Sequence, residues 1–283
     1  MRNIKLTLAY DGTDFSGWQV QPGQKTVQGT LTGVLEKITQ SPVTIYGAGR
    51  TDAGVHAAGQ VANFHTESYI GLADFQRACN ALLPPAIRVI ACQEVGPEFH
   101  ARWSAQAKTY RYRIFRGRVV PPFLYRYVQH DSFPLDFTAM AKAARRFEGE
   151  HDFTYFAAST GSEEDDRERI TTRTIYRSEL LRERAVNSTS EDTDEDKDEN
   201  EQWVYVVRGK SFLRYMVRKM VGTLVEVGRG KLSPEAIPAL FELRDRSKSA
   251  PTMPPQGLCM MGVEYRIPEN SPAPNDLQAI AEA

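Results

Sequence analysis

The residues best equipped for chemistry lie in one stretch, GAGRTDAGVHAAGQVANF, residues 47–64. Four glycines surround a carboxylate, Asp52, a guanidinium, Arg50, and an imidazole, His56. Arg50 and Asp52 stand two apart, so in an extended segment their side chains point the same way. That spacing predicts a carboxylate kept ionised, its pKa lowered by the guanidinium beside it. The glycines predict room for a substrate to approach the backbone. A nucleotide-binding loop would need GxGxxG leading into a helix; here the spacing differs and a strand follows. A structural turn with a capped aspartate accounts for the same spacing and stays open on these residues alone. No second carboxylate joins Asp52 in the motif, against a glycosidase-like acid/base pair.

Such a loop must be held by regular elements, and the flanking sequence supplies them. IKLTLAY (4–10) alternates as a strand. VQGTLTGVLEKI (27–38) places Val27, Leu31, Val34, Leu35 and Ile38 on one helical face. VTIYGAGR (43–50) reads as a strand running into the glycine loop, and GQVANFHT (59–66) as the next strand. Residues 74–83 read as a helix stopped by Pro84 and Pro85, and IRVIACQEV (87–95) as a strand. The order is β-α-β-β-α-β.

The second half repeats that order loosely. KTYRYRIF (108–115) is a strand and 135–147 a helix. ITTRTIYRSELL (170–181) and WVYVVRGK (203–210) are strands on either side of an acidic insert. After Phe212, a helix carries Leu213, Met216, Val217, Met220, Val221, Leu224 and Val225 on one face. A further helix follows over 234–243, and LCMMGVEYR (258–266) closes as a strand. Two such series predict an α+β fold of two ferredoxin-like, RRM-like halves sharing a central antiparallel sheet. The first half is 1–105 and carries the glycine loop. The second is 106–267 and carries the insert, and 268–283 is a polar tail. The tail and 159–166 are polar and expected to be mobile. A fold of this kind does not by itself define a function, although such sheets often present a face to RNA.

With 283 residues, 41% of them hydrophobic and 25% charged, the chain can bury a full core as a soluble protein. No apolar run is long enough to cross a bilayer, and MRNIKLTLAYDG turns polar too early for a signal peptide. The expected location is the cytoplasm. Cys79, Cys92 and Cys259 are far apart, so buried free thiols are expected rather than a zinc site or a disulfide framework. The net charge of −1 hides an uneven distribution: residues 188–202, STSEDTDEDKDENEQ, hold eight acidic residues and one lysine. The remainder has 34 basic against 28 acidic residues. That excess suits a phosphate backbone if it gathers on one face.

GRTDAGVHA closely resembles the signature of the tRNA pseudouridine synthase A (TruA) family, and the resemblance covers most of the chain. YDGTDFSGWQVQP (10–22), followed by TVQGTL, resembles the family's opening motif. FHARWSAQAKTYRYRI (99–114) resembles its central motif, SFLRYMVRKMVG (211–222) its third, and QGLCMMGVEY its closing strand. Several motifs in the right order around the signature make the match specific. Two departures stand out: the acidic insert, and Tyr215 where many relatives carry His.

The resemblance implies the pseudouridine synthase fold, a homodimer, and isomerisation of uridines 38, 39 and 40 in the tRNA anticodon arm. It implies that Asp52 is the catalytic carboxylate. Arg50 would help displace the target nucleotide, Tyr110 would stack on the uracil, Arg218 would pair with Asp52, and Leu258 would pack against the base. Each has a plainer reading: a strand tyrosine for Tyr110, a solvated helix face for Arg214 and Arg218 one turn apart, and core for Leu258. The implied reaction breaks the N-glycosidic bond, turns the uracil and rejoins it through C5. Nothing is oxidised and no group is lost, so neither redox cofactor nor metal is expected. The demand is for a carboxylate near sugar and ring, an aromatic platform, and a nucleotide out of its stack at about a few kcal/mol. His56 and His65 near the motif are expected to be structural or to touch RNA, since this reaction requires neither. The rival from another class is a non-catalytic RNA-binding protein with two RRM-like halves; it would need no Asp52, and the aromatic RNP1 pattern is absent. A sister synthase acting at other RNA sites is the third reading.

Overall fold

The computed structural model describes residues 1–159, 170–184, 201–243, 245 and 248–265. Most of the acidic insert, the polar tail from 268 and residues 160–166 lie outside the described residues.

The first half runs β1 (Arg2–Tyr10), α1 (Val27–Thr39), β2 (Tyr46–Gly47), β3 (His56–Thr66), α2 (Leu72–Leu82) and β4 (Ile87–Val95). The second runs β5 (Ala105–Phe115), β6 (Gln129–His130), α3 (Phe137–Arg145), β7 (Gly149–Asp152), β8 (Thr172–Arg184), β9 (Glu201–Gly209), α4 (Met216–Gly228), α5 (Ile237–Glu242) and β10 (Leu258–Tyr265). Ten strands form one sheet with the order β4-β1-β3-β10-β5-β9-β8-β7; β2 is added on β3 and β6 on β5. Each half therefore lays its last strand beside its first and its first beside a later one, as β4-β1-β3 and β10-β5-β9. The halves meet where β3 and β10 run parallel for two residue pairs, His56 with Cys259 and Ala57 with Met260. Gly59 permits that seam: a Cβ there would lie 2.4 Å from the Met261 carbonyl oxygen.

Alternation decides which face is buried. In β1, Ile4, Leu6, Leu8 and Tyr10 point into the core, where Val27, Leu31, Val34 and Leu35 of α1 cover them. Thr26 caps α1, its hydroxyl accepting from the Gly29 N–H at 3.2 Å. α2 ends before Pro84 because Leu83 takes the extended conformation that a following proline favours (φ −71°, ψ 143°). Asp136 caps α3 by accepting from the Ala139 N–H at 2.9 Å, which sets the start of the helix at Phe137. β8 and β9 pair as a hairpin from Ile175 with Gly209 to Arg184 with Glu201.

Several elements depart from the sequence pattern. The strand expected over 43–50 is ladder only at Tyr46–Gly47. Beyond it the Gln60 side chain donates to the Gly49 carbonyl at 2.7 Å, taking the place of a strand partner and turning the chain away. The helix expected directly after Phe212 begins at Met216, because Tyr215 adopts a left-handed φ of 65°. That helix is not one-faced: Lys219, Gly222, Thr223 and Gly228 are buried along with the apolar residues. The element over 234–243 opens as a 3-10 turn, Pro234–Ala236, before α5. All three cysteines are free, but only Cys79 is fully buried. Among the described residues no helix is long and apolar enough to cross a membrane.

Candidate active site

The Asp52 loop leaves β2 and returns to β3 across the seam between the halves. Backbone contacts with the segment after β1 fix it. The Trp18 N–H donates to the Thr51 carbonyl at 3.0 Å, and the Gly54 N–H to that of Phe15 at 3.3 Å. The Tyr10 hydroxyl bonds Thr51 Oγ1 at 2.8 Å. A turn closes as the Val55 N–H donates to the Asp52 carbonyl at 3.1 Å, with Gly54 left-handed at φ 76°. The approach is so close that a Cβ on Gly17, itself at φ 90°, would lie 2.7 Å from the Thr51 carbonyl oxygen. The sequence reading matched YDGTDFSGW as a motif without giving it a task; its task is to hold this loop.

Asp52 receives Arg218 from the first turn of α4, Nη1 lying 3.3 Å from Oδ2. Arg218 is itself anchored, its Nε donating to the Met253 carbonyl at 2.6 Å and its guanidinium lying 5.0 Å from the centre of the Tyr215 ring. The side chains are only 12% and 21% exposed, so little water screens the pair. Burial raises the Asp52 pKa above the ordinary carboxylate value, opposed chiefly by the Arg218 charge and less by Arg214. This corrects the sequence expectation of a lowered value: desolvation outweighs the guanidinium. It also corrects the identity of the partner. Arg50 is exposed and, among the described residues, has no ion-pair partner. The loop bends at 48–49 and turns again at 53–54, leaving Arg50 exposed while Asp52 is half-buried against Arg218.

Tyr110 of β5 is buried beside the loop. Its ring meets Phe212 edge-on at 5.0 Å between centroids, and burial first, then nearby Tyr10 and Asp52, holds its phenol protonated. A Cβ on Gly49 would lie 3.7 Å from the Tyr110 oxygen, which places the ring against the loop. Leu258, the first residue of β10, is buried opposite Tyr112, two positions along β5 from Tyr110. The structure thus brings Asp52, Arg218 and Tyr110 together, sets Leu258 in the neighbouring core and leaves Arg50 on the surface. Phe212, which fixes the Tyr110 ring, was not singled out by sequence; its place in the third motif was the available signal.

The glycines were expected to open space for a substrate. Gly47 and Gly59 instead admit protein: a Cβ on Gly47 would strike the Trp18 indole at 2.6 Å, and Gly59 admits the β10 backbone. His56 is structural. Its Nδ1 accepts from the Gly12 N–H at 3.1 Å, its Nε2 donates to the Arg126 carbonyl at 2.8 Å, and burial pushes its pKa down. His65 is half-buried on β3.

A carboxylate clamped by an arginine, in a largely dry site walled by an aromatic ring, can act at a sugar or a ring without other apparatus. The profile described as tRNA pseudouridine synthase matches residues 7–104 and 143–266. The tRNA pseudouridine synthase A of Solibacter usitatus is 46% identical over 266 residues, covering 94% of this chain and all of that protein. That of Moorella thermoacetica is 43% identical over 265 residues, covering 93% of this chain and 99% of the relative. A chain from the crystal structure of a Cbf5-Nop10-Gar1 complex shares 15% identity at a TM-score of 0.28, over 79% of this chain and 54% of that one. That likeness is too slight to carry an argument. The chain belongs to the tRNA pseudouridine synthase family, and its reaction is the isomerisation of uridine in tRNA.

Proposed function

We propose that Asp52 is the catalytic carboxylate and that the target uridines are positions 38, 39 and 40 in the tRNA anticodon arm. The observation that carries the first part is the clamp: a largely buried carboxylate, paired with Arg218 and adjoining Tyr110, at the seam of the two halves. Arg218 orients the carboxylate toward the flipped nucleotide. Tyr110 supplies the face on which the freed uracil turns, and Leu258 closes the apolar wall behind the base. Arg50, free and exposed, meets the RNA and helps hold the nucleotide out of its stack. The reaction changes no oxidation state and transfers no group: the C5 hydrogen leaves as a proton and the freed N1 takes one up, so the carboxylate and the platform are sufficient without a cofactor or metal. The positions in tRNA come from likeness to the family.

The two halves, 1–105 and 106–267, are ferredoxin-like units, a reading supported by the strand arrangement that both repeat. The protein works in the cytoplasm, where tRNA is modified, and as a homodimer in which one subunit grips the tRNA body while its partner presents Asp52. Light scattering of the active protein tests the dimer; a fully active monomer refutes it.

The deciding experiment is tritium release from C5-labelled tRNA, with the modified positions mapped in the product. Wild type is expected to release tritium from positions 38, 39 and 40, and Asp52→Asn to release none. Appreciable turnover by the Asn variant removes Asp52 from the chemistry. Modification at other positions moves the enzyme to a sister specificity.

A further inference from the structure

Lys108 lies against the Asp52 loop and takes no part in the machinery above. It stands on β5 two residues before Tyr110 and so on the same face of the sheet. Gly209 of β9 and Val263 of β10 flank it, and it is only 9% exposed. A Cβ on Gly49 would lie 3.6 Å from Lys108 Nζ and 3.7 Å from the Tyr110 oxygen. The amine and the phenol therefore face the same point of the Asp52 loop. Among the described residues Lys108 Nζ has no hydrogen-bond or ion-pair partner. The contrast is Lys219, the other buried lysine among the described residues, whose Nζ donates to Ser249 Oγ at 2.6 Å. Nor is the nitrogen sealed off: it is absent from the fully enclosed polar atoms that lack a partner.

The surroundings are positive. Burial, then Arg102 and Arg173, push the Lys108 pKa down to about 8. Of the other charges nearby, Asp52 is engaged by Arg218, and Arg208 of β9 is paired with Glu264 of β10 at 2.6 Å. Arg102 also leads outward. Its guanidinium lies 4.5 Å from the centre of the exposed Trp103 ring, followed by His100 at 5.6 Å and Tyr46 at 4.8 Å further on. This row of rings, Tyr46 and Trp103 exposed and His100 half-buried, suits a strand whose bases stack while its backbone is drawn toward the buried Lys108.

We propose that Lys108 is a substrate-positioning residue whose ammonium receives a phosphate of the RNA strand as the target nucleotide enters the cleft beside Asp52. An ammonium kept largely from water, next to like charges and without a counter-ion, is held at a cost that an arriving anion relieves. Every nucleotide of the substrate carries such an anion. The proposal rests on the reading that this cleft takes a uridine of tRNA.

The test measures tRNA affinity of Lys108→Met and Lys108→Arg across a salt series and across pH, in the Asp52→Asn background so that nothing turns over. Lys108→Met is expected to bind about tenfold more weakly, with a log–log salt slope smaller by about 0.7–0.9. Lys108→Arg is expected to keep both affinity and slope. With Lys108 present, affinity should fall as pH rises from about 7 to about 9, because the ammonium loses its proton there. With Arg at that position, charged throughout, the fall should vanish. Unchanged affinity and slope in the Met variant, or the same pH fall in the Arg variant, overturns the proposal. If the Met variant does not fold, the Arg comparison decides alone. Wild type, assayed by tritium release on the same tRNA, separates the two readings. An active wild type with an indifferent Lys108 removes this proposal only, whereas an inactive wild type removes the reading beneath it.

Discussion

The two halves of the sheet hold their contributions to the cleft by different means. The first half presents Asp52 on a loop fixed almost wholly by backbone: Trp18 to Thr51, Gly54 to Phe15, Val55 to Asp52, with Gly17 allowing the close approach. The second half presents Arg218 and Tyr110 from a helix and a strand whose positions are set by packed side chains, with Phe212, Tyr215 and the core around α4 as supports. The difference teaches where each half is vulnerable. A backbone-held loop tolerates changes of outward side chain but not an added Cβ. A packing-held arginine tolerates neither a lost charge nor a lost neighbour.

The largest effect is expected at the reacting group. Asp52→Asn should abolish product while tRNA binding stays within about tenfold, or about 1.4 kcal/mol. A filter-binding measurement beside the tritium assay separates the two, and a collapse of binding would make Asp52 a binding residue instead.

Next comes Arg218. Arg218→Ala removes a charge-assisted contact worth about 1.5–3 kcal/mol, so roughly a ten- to hundredfold loss of rate is expected, with Arg218→Lys retaining more. The pH profile sharpens this. Burial already raises the Asp52 pKa, and the proposed role calls for the ionised form, so activity should fall on the acid side at a pH above the ordinary Asp range. Taking away the opposing charge should move that limb higher still. Single-turnover rates against pH test it; an unmoved limb would mean that the pair is not felt by the chemistry. The linkage to stability has the opposite sense to that of a usual paired Asp. A raised carboxyl pKa favours the fold below the unfolded value and loses that benefit as pH rises through the folded one.

Tyr110→Phe keeps the ring and loses the hydroxyl, whereas Tyr110→Ala loses both and leaves a cavity in a buried site. The Ala variant is expected to be much the slower, with the Phe variant retaining base stacking. Near-wild-type rates for both would take Tyr110 out of the site. The smallest effect expected belongs to the backbone support. Gly17→Ala pays about 1–2 kcal/mol for its left-handed φ and presses its Cβ on the Thr51 carbonyl, so a lower melting temperature and about a tenfold loss of rate should appear together. A variant that melts early yet turns over normally would show that the loop does not need this buttress.

Much of this was legible in the sequence because it is periodic or local. The alternation of β1, the helical stripe of α1 and the proline stop after α2 all rest on neighbours within a few residues. Motif spacing marked the Asp52 loop and the segments bearing Tyr110 and Arg218. What escaped depends on distant partners. Nothing within 47–64 reveals that Arg50 stays on the surface while Arg218, 166 residues beyond Asp52, takes its expected place. Nothing in VTIYGAGR announces that Gln60 will claim the Gly49 carbonyl and cut the strand short. The glycines looked like openings because their tight neighbours, Trp18 and the β10 backbone, come from elsewhere in the chain. Nothing in KTYRYRIF announces that Lys108 will be buried between β9 and β10.

The two-pair seam between β3 and β10 has a consequence for birth on the ribosome. Among the described residues β10 is the last strand in sequence, yet it fills the middle of the sheet, between strands some 150 to 200 residues earlier. Until it arrives, the nascent polypeptide carries two unpaired edges, β3 and β5, each able to recruit a foreign strand. The cleft does not exist during that interval, so an unfinished chain cannot hold a uridine in it. Joining of the two lobes must wait for β10, and the long sequence separation of the pairing makes that step slow.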